Sequence, residues 1–162
     1  MSAMPAGLTS IAGAVQAVAS EFDPKSTFRP FGPERWIRDV INRWGDGIQH
    51  VAIVLDSDPR LVAMYVILDL SEPAAHGDAL ARAAARANYG LLDGCFEVDP
   101  DTGETRYRNA LRVYSDDLTS KEIAELMADA LHMAKLYAPA FVQIVEANAD
   151  PCEAIDAVES AE

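Results

Sequence analysis

Basic residues are scarce in this chain. Thirteen Lys and Arg stand against 26 Asp and Glu in 162 residues, a formal charge of -13, with a pI near 4.5. Binding phosphates by counterion release needs clustered Lys and Arg, so nucleic acid is excluded as a partner. An anionic membrane surface is disfavoured for the same reason. Cysteine is nearly absent: Cys95 and Cys152, 57 positions apart, form neither a metal pair nor a disulfide framework. No apolar run approaches the ~20 residues of a membrane span. No basic n-region precedes Leu8, which argues against a secretory signal. What is abundant is apolar surface, 50% of residues against 24% charged, a globular composition. At ~150 residues per domain the length fits one domain with its own core. The expectation is a cytoplasmic, acidic, globular protein.

Residues that carry chemistry are equally thin. His50, His76 and His132 include no pair at the i, i+4 spacing of a metal-binding helix. Asp99-x-Asp101 with Gly103 hints at a calcium loop. An EF-hand, however, needs glycine at its sixth position and glutamate at its twelfth, and here the glycine is fifth and Ala110 is twelfth. A hairpin turn is the better reading. Cys95 sits in an apolar strand and reads as a small hydrophobe, and Cys152 as an exposed thiol. The serines occupy no nucleophile elbow, and neither a G-x-G-x-x-G nor a P-loop occurs. No catalytic residue, cofactor or metal is assigned.

Periodicity is more informative. Leu8, Ile11, Val15, Val18 and Phe22 step by three and four, as a helix face does, and Asp23-Pro24 ends the run. Pro33 suits a first helical position. The spacing of Trp36, Ile37, Val40, Ile41 and Trp44 favours a short helix over 33–44, stopped by Gly45-Asp46-Gly47. A strand competes, because Trp36, Val40 and Trp44 also share one side of a period-two pattern. Residues 50–55 and 61–68 form an antiparallel hairpin around Asp56–Arg60. Both strands are almost continuously apolar, so both faces need cover, from helices or a partner chain. A helix follows with Leu80, Ala83, Ala84 and Ala87 inward and Arg82 and Arg86 outward. Its alanine face requires a close neighbour, and Gly90 is available for a left-handed cap.

A second hairpin, 91–98 with 104–114, turns at Asp99–Gly103. Arg106, Arg108 and Ala110 face one way and Tyr107, Leu111 and Val113 the other, with a register change expected near Asn109. Thr119-Ser-Lys-Glu122 is a capping box. It opens a long helix through Ile123, Leu126, Met127, Ala130, Ala134, Tyr137, Phe141 and Ile144, which Pro139 should kink or split. The last 17 residues hold six acids and no base, leaving 20 acids and 13 bases, or -7, on residues 1–145. The boundaries are therefore a disordered start at 1–7, one α+β domain at 8–146 and an acidic tail at 147–162. That tail reads as solvated, unless Ile155 and Val158 dock it as a short amphipathic turn.

The order, α-(α)-ββ-α-ββ-α, describes an α+β domain whose antiparallel sheet of two hairpins is backed by helices. The run Asn88…Gly94-Cys-Phe-Glu-Val-Asp-Pro-Asp-Thr-Gly-Glu-Thr-Arg-Tyr-Arg108, then Leu118-Thr119 and Tyr137-Ala-Pro-Ala-Phe141, resembles the YbjN family of bacterial sensory transduction regulators over residues 60–146. The resemblance implies a fold similar to type III secretion chaperones and brings no enzymatic site. Two functions follow as expectations. The chain is a non-enzymatic regulator or adaptor acting through protein contacts, or a chaperone-like dimer holding an extended client segment. Large apolar surfaces mark contacts and two-fold pairing is the commonest solution, so a homodimer is expected. The interface candidates are Trp36, Val40, Trp44, Met64, Val66 and Leu68.

Overall fold

Leu8, Ile11, Val15 and Val18 bury one stripe of helix α1, Ala6–Phe22, which closes where the Asp23 N–H still reaches the Ala19 carbonyl at 2.9 Å. The computed structural model describes residues 4–42 and 44–161. Residues 1–3 of the expected disordered start lie outside that range, while Ala6 and Gly7 are helical. After α1 come strands β1 (Arg29–Pro30), β2 (Arg35–Val40), β3 (Ile48–Ser57) and β4 (Arg60–Leu68). A 3-10 turn (Pro73–His76) leads into α2 (Gly77–Gly90), then β5 (Cys95–Val98), β6 (Thr105–Arg112), α3 (Ser120–Ala147) and α4 (Pro151–Glu159). The strands make one antiparallel sheet in the order β1-β2-β3-β4-β6-β5. The mixed α+β class and the two hairpins are those expected from the sequence.

Within segment 33–44, expected as a helix, Arg35–Val40 form a strand. Trp36, Arg38 and Val40 alternate inward on β2, and period two wins because β3 offers a full ladder from Arg35↔Asp56 to Val40↔Val51. Arg38 disguised the pattern. It is 0% exposed, yet its guanidinium donates to Ser26 Oγ at 2.8 Å, to Gln16 Oε1, to Ser20 Oγ and to the Asp23 carbonyl. Neutral oxygens thus satisfy a buried charge, as burial demands. Desolvation lowers its pKa, and the charge of Asp23 opposes that shift.

The acidic end is also ordered. Asp150 Oδ1 caps α4 by accepting the N–H groups of Cys152 and Glu153 at 2.9 and 3.1 Å, and Pro151 occupies the first turn, where a missing N–H costs nothing. Ala154 and Ile155 are buried. Arg86 of α2 pairs with Asp156 and Glu159. So α4 docks on α2 and α3, the alternative in which Ile155 anchors the end, and α4 and β5 are both close neighbours of α2. Three smaller expectations are corrected. Helix α3 is not split at Pro139. The β4–β6 register passes Asn109 without a shift. Gly90 is helical, and the left-handed glycine that follows α2 is Gly94 at φ 64°. The capping box of α3 is present, with the Thr119 N–H donating to Glu122 Oε2 at 2.8 Å.

Candidate functional site

The alternation of the strands sorts their side chains onto two unlike faces. Trp36, Val51, Ile53, Leu55, Val62, Met64 and Val66 join the cluster built by α1 and α3. All six interface candidates lie on this covered side or at its rim: Trp36, Val40, Trp44, Met64, Val66 and Leu68 are at most 9% exposed. Within the chain these six side chains belong to the core cluster beneath its helices. Trp44 packs on Phe22 with ring centroids 5.0 Å apart and donates its indole N–H to the Val40 carbonyl at 3.3 Å.

Among the described residues no helix lines the opposite face. Here Ile37 of β2, Ala52 and Val54 of β3, and Leu61, Tyr65 and Ile67 of β4 floor a groove of about 400 Å³. Ala52, Val54 and Ile67 are counted as buried yet lie outside the helix-covered cluster. They are small or aliphatic residues sunk between longer neighbours. Charges of both signs border them. Arg35 pairs with Asp56, Arg29 with Asp39 at 2.7 Å, and Arg106 and Arg108 share Glu97 at 2.9 and 2.6 Å. The Arg106 guanidinium also stacks over the Tyr65 ring, 4.5 Å from its centroid, an attraction of charge to the ring face. In a chain of charge -13 this face is close to neutral. His50 lines the same groove. Cys95 is half-buried on this face rather than in the core, its sulfur accepting from Arg108 Nη2 at 3.3 Å.

The sheet edges are closed to a further strand. On β5, Asn88 of α2 offers its amide to the Phe96 carbonyl at 2.9 Å and accepts the Phe96 N–H at 2.7 Å, as a neighbouring strand would. At the other edge β1 is two residues long and ends in Pro30, which has no N–H to pair. The Ile41 N–H just past β2 is taken by Asp23 Oδ2 at 3.2 Å.

The remaining motifs resolve as structure. Asp99 Oδ1 accepts the N–H groups of Asp101 and Thr102 at 2.8 and 2.9 Å. The Thr102 and then the Asp101 N–H hold the Asp99 carboxyl below the usual carboxylate range. That oxygen closes a turn. Among the described residues no three His, Cys, Asp or Glu side chains are grouped to hold a metal ion. No helix among them is long and apolar enough to cross a membrane.

No family model matches the sequence, and no curated protein matches it. Among solved structures, a chain of the crystal structure of the ExsC-ExsE complex is similar, with a TM-score of 0.51 at 13% identity. The match covers 81% of this chain and 92% of that one. A likeness at that identity speaks for the fold, which is type III secretion chaperone-like.

Proposed function

We propose that the chain is a non-enzymatic, chaperone-like adaptor that holds an extended segment of a partner protein against the open face of its sheet. The observation that carries this reading is the groove floored by Ile37, Ala52, Val54, Tyr65 and Ile67, an apolar strip left uncovered by every helix. Its floor repeats with the period of two that an extended segment also has. The similar chain was solved as part of a complex of two proteins, which supports binding to a partner. Kinship with the YbjN regulators, a cytoplasmic setting and a homodimer belong to the same reading. For the dimer, Ile41 and Tyr114 provide apolar surface outside the groove, both largely exposed.

Photo-crosslinking from position 65 in the native cell tests the reading, followed by affinity measurement with the purified partner. A crosslinked extended stretch whose binding weakens at least about tenfold in Ala52→Arg supports it, since blocking a central apolar contact has effects of that size. Crosslinks confined to a second copy of this chain would overturn the client reading and make the sheet face the dimer interface.

A further inference from the structure

Five of the chain's 13 Lys and Arg stand on the open face of the sheet: Arg29, Arg35, Arg106, Arg108 and Arg112. Four of them are answered there. Arg29 meets Asp39, Arg35 meets Asp56, Arg106 meets Glu97 and Glu104, and Arg108 shares Glu97. Arg112 is the remainder. It lies opposite Leu61 of β4, is exposed, and makes no hydrogen bond or ion pair among the described residues. Strand topology explains this. β5 pairs with β6 only from Thr105 to Arg108, so no carboxylate of β5 stands opposite Arg112. With five arginines against four carboxylates, the face carries one surplus positive charge in a chain of -13. The ground between the groove and Arg112 is low. Val54 of β3 pairs with Ala63 of β4, and Ala63 with Ala110 of β6. This row of small side chains passes between the taller Tyr65 and Leu61, so the apolar floor runs on toward β6. From Val54 to Arg112 is two strands across and two residues along, about 12 Å at ordinary sheet spacings. Four extended residues span about that length.

With a client seated in the sheet groove as proposed above, on which this rests, we infer that Arg112 selects it. The client carries an aspartate or glutamate four positions from an apolar residue held over Val54. That even spacing keeps both side chains on one face of an extended segment. The residue between them on the same face lies over Ala63 and Ala110, where an aliphatic side chain has room. Arg112 draws the carboxylate because its guanidinium is unanswered. The four arginines already held by Asp or Glu gain little from exchanging one partner for another. A basic segment is attracted by the chain's overall charge but sets a like charge against Arg112. A strongly acidic one is repelled by that same overall charge. A single carboxylate closing an apolar run satisfies both conditions.

The probes are fluorescein-labelled nonapeptides with serine at the odd positions and leucine, leucine, valine and aspartate at the even ones. They are made in this order and in the reverse, since an extended segment can lie either way. Matching peptides carry asparagine in place of aspartate. Fluorescence anisotropy with the full-length protein should show the aspartate peptide of one order binding about fivefold tighter than its asparagine match, the effect of one exposed ion pair. Arg112→Gln should erase that difference and leave the asparagine peptide bound as before. Arg82→Gln, which removes an exposed cation from α2, should leave the difference intact. A difference that survives in Arg112→Gln, equal losses in the two variants, or no difference in either order would overturn selection by Arg112. Ala52→Arg, which blocks the groove, should weaken all four peptides together. If it does and aspartate brings no advantage, the groove stands and selection by Arg112 falls. Peptides that bind Ala52→Arg undiminished, or that bind neither protein, would overturn the groove reading and this one with it.

Discussion

Replacing Gly103 by alanine tests how the second hairpin is seated. Gly103 has φ 72° and ends the turn by donating its N–H to the Asp99 carbonyl at 2.8 Å. A Cβ at this position would lie 2.3 Å from the Pro73 carbonyl oxygen, 2.4 Å from its carbon and 2.7 Å from the Ala74 nitrogen. All three are backbone atoms, so no rotamer change relieves the contact. The left-handed conformation alone costs an L-residue about 1–2 kcal/mol. Displacing the 3-10 turn to admit the methyl adds about 2 kcal/mol, typical of overpacking. The sum is about 3–4 kcal/mol, a large part of a domain's usual stability. Gly45→Ala is the control: its φ is 63°, yet a Cβ there meets nothing within 4 Å. It should lose only the conformational part, about 1–2 kcal/mol. Urea denaturation of both variants, compared at constant m-value, reads the difference directly. Equal losses would refute the argument, because the hairpin turn would then not rest on the Pro73 carbonyl.

Four other outcomes are expected. Thr119→Ala removes the hydroxyl of the capping box of α3 and should cost about 1 kcal/mol; by NMR titration the Glu122 carboxyl should rise only part of the way, because the backbone N–H of position 119, the larger cause of its lowering, stays and only the hydroxyl's hydrogen bond is lost. Arg38→Met strands the acceptors Gln16, Ser20 and Ser26 around a buried apolar chain and should lose about 2 kcal/mol in thermal unfolding; an unchanged melting temperature would show the network to be dispensable. The Tyr107 hydroxyl, raised to about 12 from 10.0, holds its proton more tightly when folded. Its stabilisation is therefore complete below pH 10 and lost as pH rises toward 12, by about 2–3 kcal/mol, a loss that Tyr107→Phe should abolish in alkaline denaturation. Light scattering over a dilution series should give twice the 17.5 kDa chain mass, and a mass near the single chain at high concentration would sink the dimer.

Element order was legible where one signal dominated: the stripe of α1, the alanine face of α2, the Thr119–Glu122 box and both hairpin turns. Strand β2 was misread because its inner positions include Arg38. A charge at the centre of a strand breaks the alternation, and only the oxygens of α1 and its following loop, distant in sequence, explain its burial. The open groove was invisible for the opposite reason. Residues 50–55 and 61–68 are apolar on both faces, so nothing local says which parity faces the helices. The clue lay on β6, where Arg106 and Arg108 mark the wet face. The pairs Ile67↔Arg106 and Tyr65↔Arg108 carry that parity to β4, but they need the register that folding supplies. In the acidic end, Asp150-Pro151 was a sound helix start, and its signal was masked by the surrounding charge.

The double hydrogen bond from Asn88 to Phe96 bears on how this protein behaves when crowded. An open edge strand pairs with any extended backbone, whatever its side chains, and so leads as readily to fibres as to a specific complex. By filling that edge with one of its own carboxamides, the chain forgoes main-chain adhesion. Partners must then be chosen through side chains lying across a face, where a wrong residue is penalised. A protein that handles other extended chains is thereby kept from templating them, or its own copies, into a growing sheet.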